Sequence, residues 1–231
     1  EMFQKECSSL NAGFDFVILC PNYPSDSGKY GGEFVRTRVK AYSQFGYKLA
    51  VVEINKANSI CQYDNHRGVN VLRVTPDDVN SLFSIFSKNN FNIILHSAYP
   101  GLIDISVEKI DPSRLFFWFH GFEVRSIFRY RFNYMNGELD KKKKSFENLD
   151  KVRFEAAKKI FLNERISTIF VSNFLASQAQ SDVGVVAKNY HVIPNHIDVD
   201  FFNYKKRSDT EVMSILLVRT FSKRKYANDI A

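Results

Sequence analysis

The chain has 231 residues, 45% of them hydrophobic and 25% charged, which is enough apolar material for one large domain or for one domain and part of another. Its net charge of +7 and pI of about 9.2 favour anionic partners such as nucleotides, phosphosugars or acidic lipid surfaces without choosing among them. Apolar runs such as LFFWF (115–119) are far too short to span a bilayer, and Cys7, Cys20 and Cys61, with no C-x-x-C spacing, fit a reduced cytoplasmic setting rather than a disulfide framework.

In chain order, residues 1–13 carry no usable pattern. FDFVILC (14–20) predicts a first strand, and residues 33–45 a helix with Phe34, Val35, Val39, Tyr42 and Phe45 on one side. YKLAVVEI (47–54) predicts a second strand, and VNVLRV (69–74) a third after a polar excursion through CQYDNHRG. Residues 76–88 predict a helix with proline at its start. FNIILHS (91–97), RLFFWFHG (114–121), STIFVS (167–172) and NYHVIPN (189–195) predict strands four to seven. A long basic helical stretch separates the fifth from the sixth. In it Ile127, Phe128, Phe132 and Met135 fall at helical spacing, which predicts a helix packed on the core with its Arg and Lys solvated. Contact with an anionic membrane surface is the alternative for this stretch; nucleic acid is disfavoured, because no recognised module accompanies the charge. The strand runs are continuously apolar rather than alternating. The expected fold is therefore α/β, a doubly wound Rossmann-like parallel sheet of about seven strands with helices on both faces.

Ligands of such sheets bind beyond the carboxyl ends of the strands, so the residues after each strand carry the functional signal. After the first comes PNYPSDSGKYGGEF, where Gly31 and Gly32 open a helix. Paired glycines let the backbone approach a phosphate and the helix amino terminus offers free N–H groups, although an ordinary turn reads the same way. The loop is neither G-x-G-x-x-G nor a Walker P-loop. His96 follows the fourth strand, His120 and Glu123 the fifth, Ser172 and Asn173 the sixth, and Asn195 and His196 the seventh. Three of the five histidines thus fall on one rim. His120 is placed to bond a ligand hydroxyl or accept a proton, or else to bond backbone as a core histidine. His191 and His196 are five apart across a proline, with no cysteine or carboxylate at ligand spacing, so no metal is expected. The absence of G-x-S-x-G disfavours hydrolase chemistry of that type.

Several segments then match one family in order. HVIPNHIDVDFF (191–202) is similar to a V-I-P-N-G-I-D-x-x-x-F segment, with His196 in place of the usual glycine. FHGFE (119–123) is similar to H-G-x-[DE], VSNF (171–174) to V-S-x-x, and GGEFV (31–35) to a glycine loop. LLVRTFSKRK (216–225) is similar to the first strand and turn of a second domain. The ordered set, over roughly residues 14–231, resembles a retaining glycosyltransferase of family 4 with the two-Rossmann GT-B architecture.

The resemblance implies an acceptor-side domain at 14–207 and the start of a donor-binding domain at 208–231. The donor would be a nucleotide-diphosphate sugar, the acceptor a carbohydrate or glycolipid, and no cofactor or metal would be needed. Arg219 and Lys225 would hold the donor diphosphate, with the amides of Gly31 and Gly32 across the cleft; Tyr226 stands where the family has a glycine. His120 would be the catalytic contact to the transferred sugar, and His96, Glu123, Ser172, Asn173, Asn195 and His196 would line the cleft. The enzyme would be cytoplasmic, at most peripheral at the inner membrane surface. Because the family's E-x7-E segment would lie beyond Ala231, the chain alone is expected to be inactive. Two other classes stay open: an acceptor-binding or interaction module without turnover, and a related two-Rossmann enzyme such as a nucleotide-sugar epimerase.

Overall fold

In the computed structural model, which describes residues 13–25, 31–58, 61–134, 137–197, 199 and 203–204, eight strands form one sheet in the order β3-β4-β2-β1-β5-β6-β7-β8. They are β1 (Phe16–Cys20), β2 (Leu49–Ile54), β3 (Gln62–His66), β4 (Val69–Val74), β5 (Asn92–His96), β6 (Leu115–Phe119), β7 (Ser167–Phe170) and β8 (Tyr190–Val192). Every pairing is parallel except β3 with β4. The chain builds outward from β1 to β2 and β4, then returns to lay β5 on the other side of β1. That reversal puts the switch point of the sheet at its midline, between β1 and β5.

Among the described residues five α-helices connect the strands: α1 (Glu33–Gln44), α2 (Val79–Phe86), α3 (Pro100–Lys109), α4 (Glu138–Phe161) and α5 (Asn173–Val183). Right-handed connections running in opposite directions place their helices on opposite faces of a sheet. The two apolar clusters follow that rule. Val17, Leu19, Ala50, Leu95, Phe117 and Phe119 pack with residues of α2 to α5. Ile18, Cys20, Val51, Ile94, Trp118 and Ile169 pack with Val35 and Val39 of α1. The central strands β1, β2, β5, β6 and β7 therefore bury both faces, which is why their sequences show no polar alternation, whereas the edge strands β3 and β8 are largely exposed.

Four expectations change. The polar excursion contains a strand: β3 pairs antiparallel with β4 through the tight turn Arg67–Gly68, where both residues have positive φ (53° and 84°). The 76–88 helix divides into a 3-10 turn, Pro76–Asp78, and α2. The aromatic stretch is not one α-helix. It forms 3-10 structure over Ile127–Asn133, broken at Tyr130 (φ −102°, ψ 23°), and α4 begins only after the left-handed Gly137; Met135 lies outside the described residues. Helices α3 and α5 have no counterpart in the sequence reading. The proposed start of a second domain at 208–231 lies outside the described residues. Among the described residues no helix is long and apolar enough to cross a membrane.

Candidate functional site

The site is built where β1, α1, β5 and β6 meet at the switch point. Gly32 caps α1 in the left-handed conformation (φ 70°, ψ 22°) and accepts from the Val35 and Arg36 amides at 2.9 and 3.2 Å. A Cβ at this position would lie 2.0 Å from the carbonyl oxygen of Asn22, so α1 meets the end of β1 only because the residue is glycine. Gly31 has no such constraint, since its Cβ would meet the Asn22 Cβ at 3.5 Å, an ordinary contact. The chain leaving β1 is held by a buried ion pair that the sequence reading missed. Glu53 on β2 pairs with Arg73 on β4 and accepts from the Tyr23 amide at 3.2 Å, while Arg73 donates to the Pro24 carbonyl at 3.1 Å. Cys20 beneath this loop is fully enclosed, and burial pushes its thiol pKa far up, so it is inert at neutral pH.

The parallel register sets His96 beside Trp118, and His120 follows two residues later on the same face. His96 Nδ1 and His120 Nε2 are 2.9 Å apart and share a proton. The Phe34 ring of α1 packs against His120 with centroids 4.5 Å apart, and His96 stacks on Trp118 at 5.2 Å and 22°. On the Trp118 ring, at 3.7 Å, lies the guanidinium of Arg38, buried at 4% exposure with no carboxylate partner among the described residues. Its Nη2 donates to the Pro194 carbonyl at 2.9 Å. Burial, with the Arg38 charge second, depresses His120 to about 4; burial, the neighbouring His120 and Arg38 hold His96 well below the usual histidine range. Both rings are neutral at physiological pH. Ser97, next after His96, takes a left-handed conformation (φ 55°) unusual for a non-glycine residue.

The loop carrying His120 is fastened from below. Glu123 accepts from the amides of Gly121 at 2.8 Å and His120 at 3.4 Å. From α4, the buried pair Asp150–Arg153 reaches up: Asp150 accepts from the Ser126 hydroxyl (2.6 Å) and the Ile127 amide (3.1 Å), and Arg153 donates to the carbonyls of Phe122 and Arg125. The Phe122 ring lies over the Arg153 guanidinium at 4.3 Å, and Phe122 and Phe174 stand 58% and 65% exposed at the rim.

Of the expected site residues, His96 and His120 are bonded to each other, Gly32 caps the helix whose Phe34 packs on the His120 ring, Gly31 precedes that cap, and Glu123 turns its carboxylate onto the loop amides. Ser172 caps α5, its hydroxyl accepting from the Leu175 amide at 3.1 Å, and Asn173 is exposed at the first helical position. Asn195 and His196 are exposed beyond β8, next to the carbonyl that Arg38 holds. Arg219 and Lys225 lie outside the described residues. Sequence reasoning missed Phe34, Arg38 and Trp118. The spacing of Phe34 and Arg38, four apart on α1, was the available signal. A recess of about 450 Å³ opens on the other flank of α1, lined by Arg36, Lys40, His66 and Arg67, and holds none of the expected residues. Among the described residues no group of three or more His, Cys, Asp or Glu side chains could hold a metal.

Fold and site together define an α/β protein with a Rossmann-like sheet and a neutral histidine pair at the switch point. Comparison with protein-family models finds no match, and comparison with curated proteins finds none.

Proposed function

We propose that the protein is a glycosyltransferase that moves a sugar, with retention, from a nucleotide-diphosphate sugar to a carbohydrate or glycolipid acceptor. The observation that supports the reading is the His96–His120 pair at the carboxyl ends of β5 and β6, against which packs Phe34 from the first turn of the helix that Gly32 caps, at the sheet edge where open α/β sheets receive their ligands. A neutral His120 offers a hydrogen bond to a sugar hydroxyl without placing a full charge beside it. The Gly31 amide, unobstructed by a side chain, supports close approach of the diphosphate. By the family resemblance, Arg219 and Lys225 would stabilise the charge that develops on the leaving diphosphate. The chain's +7 charge is in keeping with such a donor.

The test is transfer by the intact protein from a panel of nucleotide-diphosphate sugars in the presence of EDTA. Expected are turnover with the chelator present, retained anomeric configuration by NMR, and a fall of about tenfold or more in kcat/KM for His120→Ala. Absence of transfer or of nucleotide-sugar binding across the panel overturns the reading. Activity lost to EDTA and restored by manganese overturns the metal-free mechanism.

A further inference from the structure

We propose that His96 is a positioning residue that fixes the tautomer of His120, donating from Nδ1 to His120 Nε2 so that His120 presents an Nδ1–H to the crevice as a hydrogen-bond donor. The inference rests on the reading of the crevice as the sugar-transfer site and assigns the polarity of its central contact.

The 2.9 Å bond between His96 Nδ1 and His120 Nε2 holds one proton between two neutral rings. Two arrangements satisfy it. If His120 donates, His96 must carry its own proton on Nε2, a buried atom with no partner. If His96 donates, that same Nε2 is a bare lone pair. Its surroundings decide between them. The other buried polar atoms without a partner in this cluster are the Nε–H of Arg38 and the Nε1–H of Trp118, both donors, and Arg38 brings a full positive charge. A region oversupplied with donors and positive potential favours a lone pair over another N–H. His96 is therefore the donor, and His120 Nε2 the acceptor.

His120 then keeps its single proton on Nδ1. That nitrogen makes no hydrogen bond among the described residues, and His120 is only partly buried at the end of β6, which leaves this nitrogen for a ligand. The Phe34 ring against His120 and the clamped 121–127 loop hold the ring in place. A neutral imidazole fixed in this way donates to an acceptor oxygen of the ligand and does not remove a proton from it. A free neutral histidine prefers the opposite tautomer, with its proton on Nε2, so the assignment is distinctive.

Long-range proton–nitrogen NMR of the ligand-free chain at pH 7 reads the tautomers directly. His96 and His120 should each show a protonated, pyrrole-type Nδ1 and an unprotonated, pyridine-type Nε2. His96→Leu should return His120 to the ordinary Nε2–H form, and His96→Gln, whose amide N–H can still donate, should restore Nδ1–H in part. Should His96→Leu not fold, the wild-type and His96→Gln spectra suffice. A pyrrole-type Nε2 on wild-type His120, or a His120 tautomer unmoved in both variants, overturns the proposal. These spectra need no substrate, so the two readings fail separately. Transfer with His120 protonated on Nε2 sinks the tautomer assignment alone, and the assigned tautomer without nucleotide-sugar binding sinks the transferase reading alone.

Discussion

His120 has one ring nitrogen bonded into the interior and the other open to the crevice, so being a core residue and being a ligand contact are not alternatives for it. Truncation to alanine leaves His96 Nδ1 unsatisfied and should cost about 1–3 kcal/mol of stability as well as activity, so Tm and kcat/KM should fall together. An unchanged Tm would mean that the pair is not formed in solution. The depressed pKa values carry a pH signature. The unfolded chain takes up these protons near 6.5, whereas folded His120 waits until about 4 and burial holds His96 well below the usual histidine range. Between those limits the unfolded state binds more protons, so stability should be flat above about pH 7 and decline as pH falls from 6.5 towards 4. Thermal melts across that range measure the slope, and the double variant His96→Leu, His120→Leu should flatten it. The two glycines divide similarly. Gly32→Ala should destabilise by more than the roughly 1–2 kcal/mol of a left-handed alanine, because of the clash with Asn22. Gly31→Ala should fall within about 0.5 kcal/mol of wild type in urea unfolding. Gly31 is therefore the position at which loss of nucleotide-sugar affinity would speak about the ligand rather than the fold.

Among the elements, α4 places the site from below, through the bonds of Asp150 and Arg153 to the loop that follows His120. Its first half, with Lys141–Lys144, is exposed, and its second half buries Asp150, Arg153, Ala156, Ala157, Ile160 and Phe161. Breaking the buried Asp150–Arg153 pair with Arg153→Met should cost about 3–5 kcal/mol, whereas Asp150→Leu combined with Arg153→Met should cost less than either single change. Chemical denaturation of the three variants measures this, and simple additivity would argue against a coupled clamp. The sequence made α4 visible through its length and charge, and the strands flanking the switch point through unbroken apolar runs. Strand β3 escaped because Gln62, Asp64 and Asn65 show no apolar run, as befits an edge strand. The His96–His120 contact escaped for a different reason. It joins residues 24 apart through the β5–β6 register, and a linear pattern does not reveal which strands are neighbours.

For the molecule as a whole, the sheet midline is both the most enclosed region and the place where the site opens. β1, β5 and β6 have partners on both edges, while β3 and β8 end the sheet. Amide hydrogen exchange should be slowest in β1, β5 and β6 and fastest in β3 and β8, with the site thus resting on the last part of the fold to open. Uniform protection across the eight strands would contradict that hierarchy. Trp118, the single tryptophan, is buried between Arg38 and His96, so its emission should respond to occupancy of the crevice without any added label.

The contribution of α1 makes the site sensitive to helical phase. Gly32, Phe34 and Arg38 reach the end of β1, the His120 ring and the Trp118 ring from a single helix. Each residue of an α-helix turns the next by about 100°. One residue inserted between Val35 and Arg38 would keep the cap and the Phe34 contact yet rotate the guanidinium off Trp118 and away from Pro194. The same insertion at the Arg67–Gly68 turn would lengthen an exposed hairpin and leave the crevice untouched. Drift in chain length is thus tolerable at the sheet edge and forbidden within one turn of one helix.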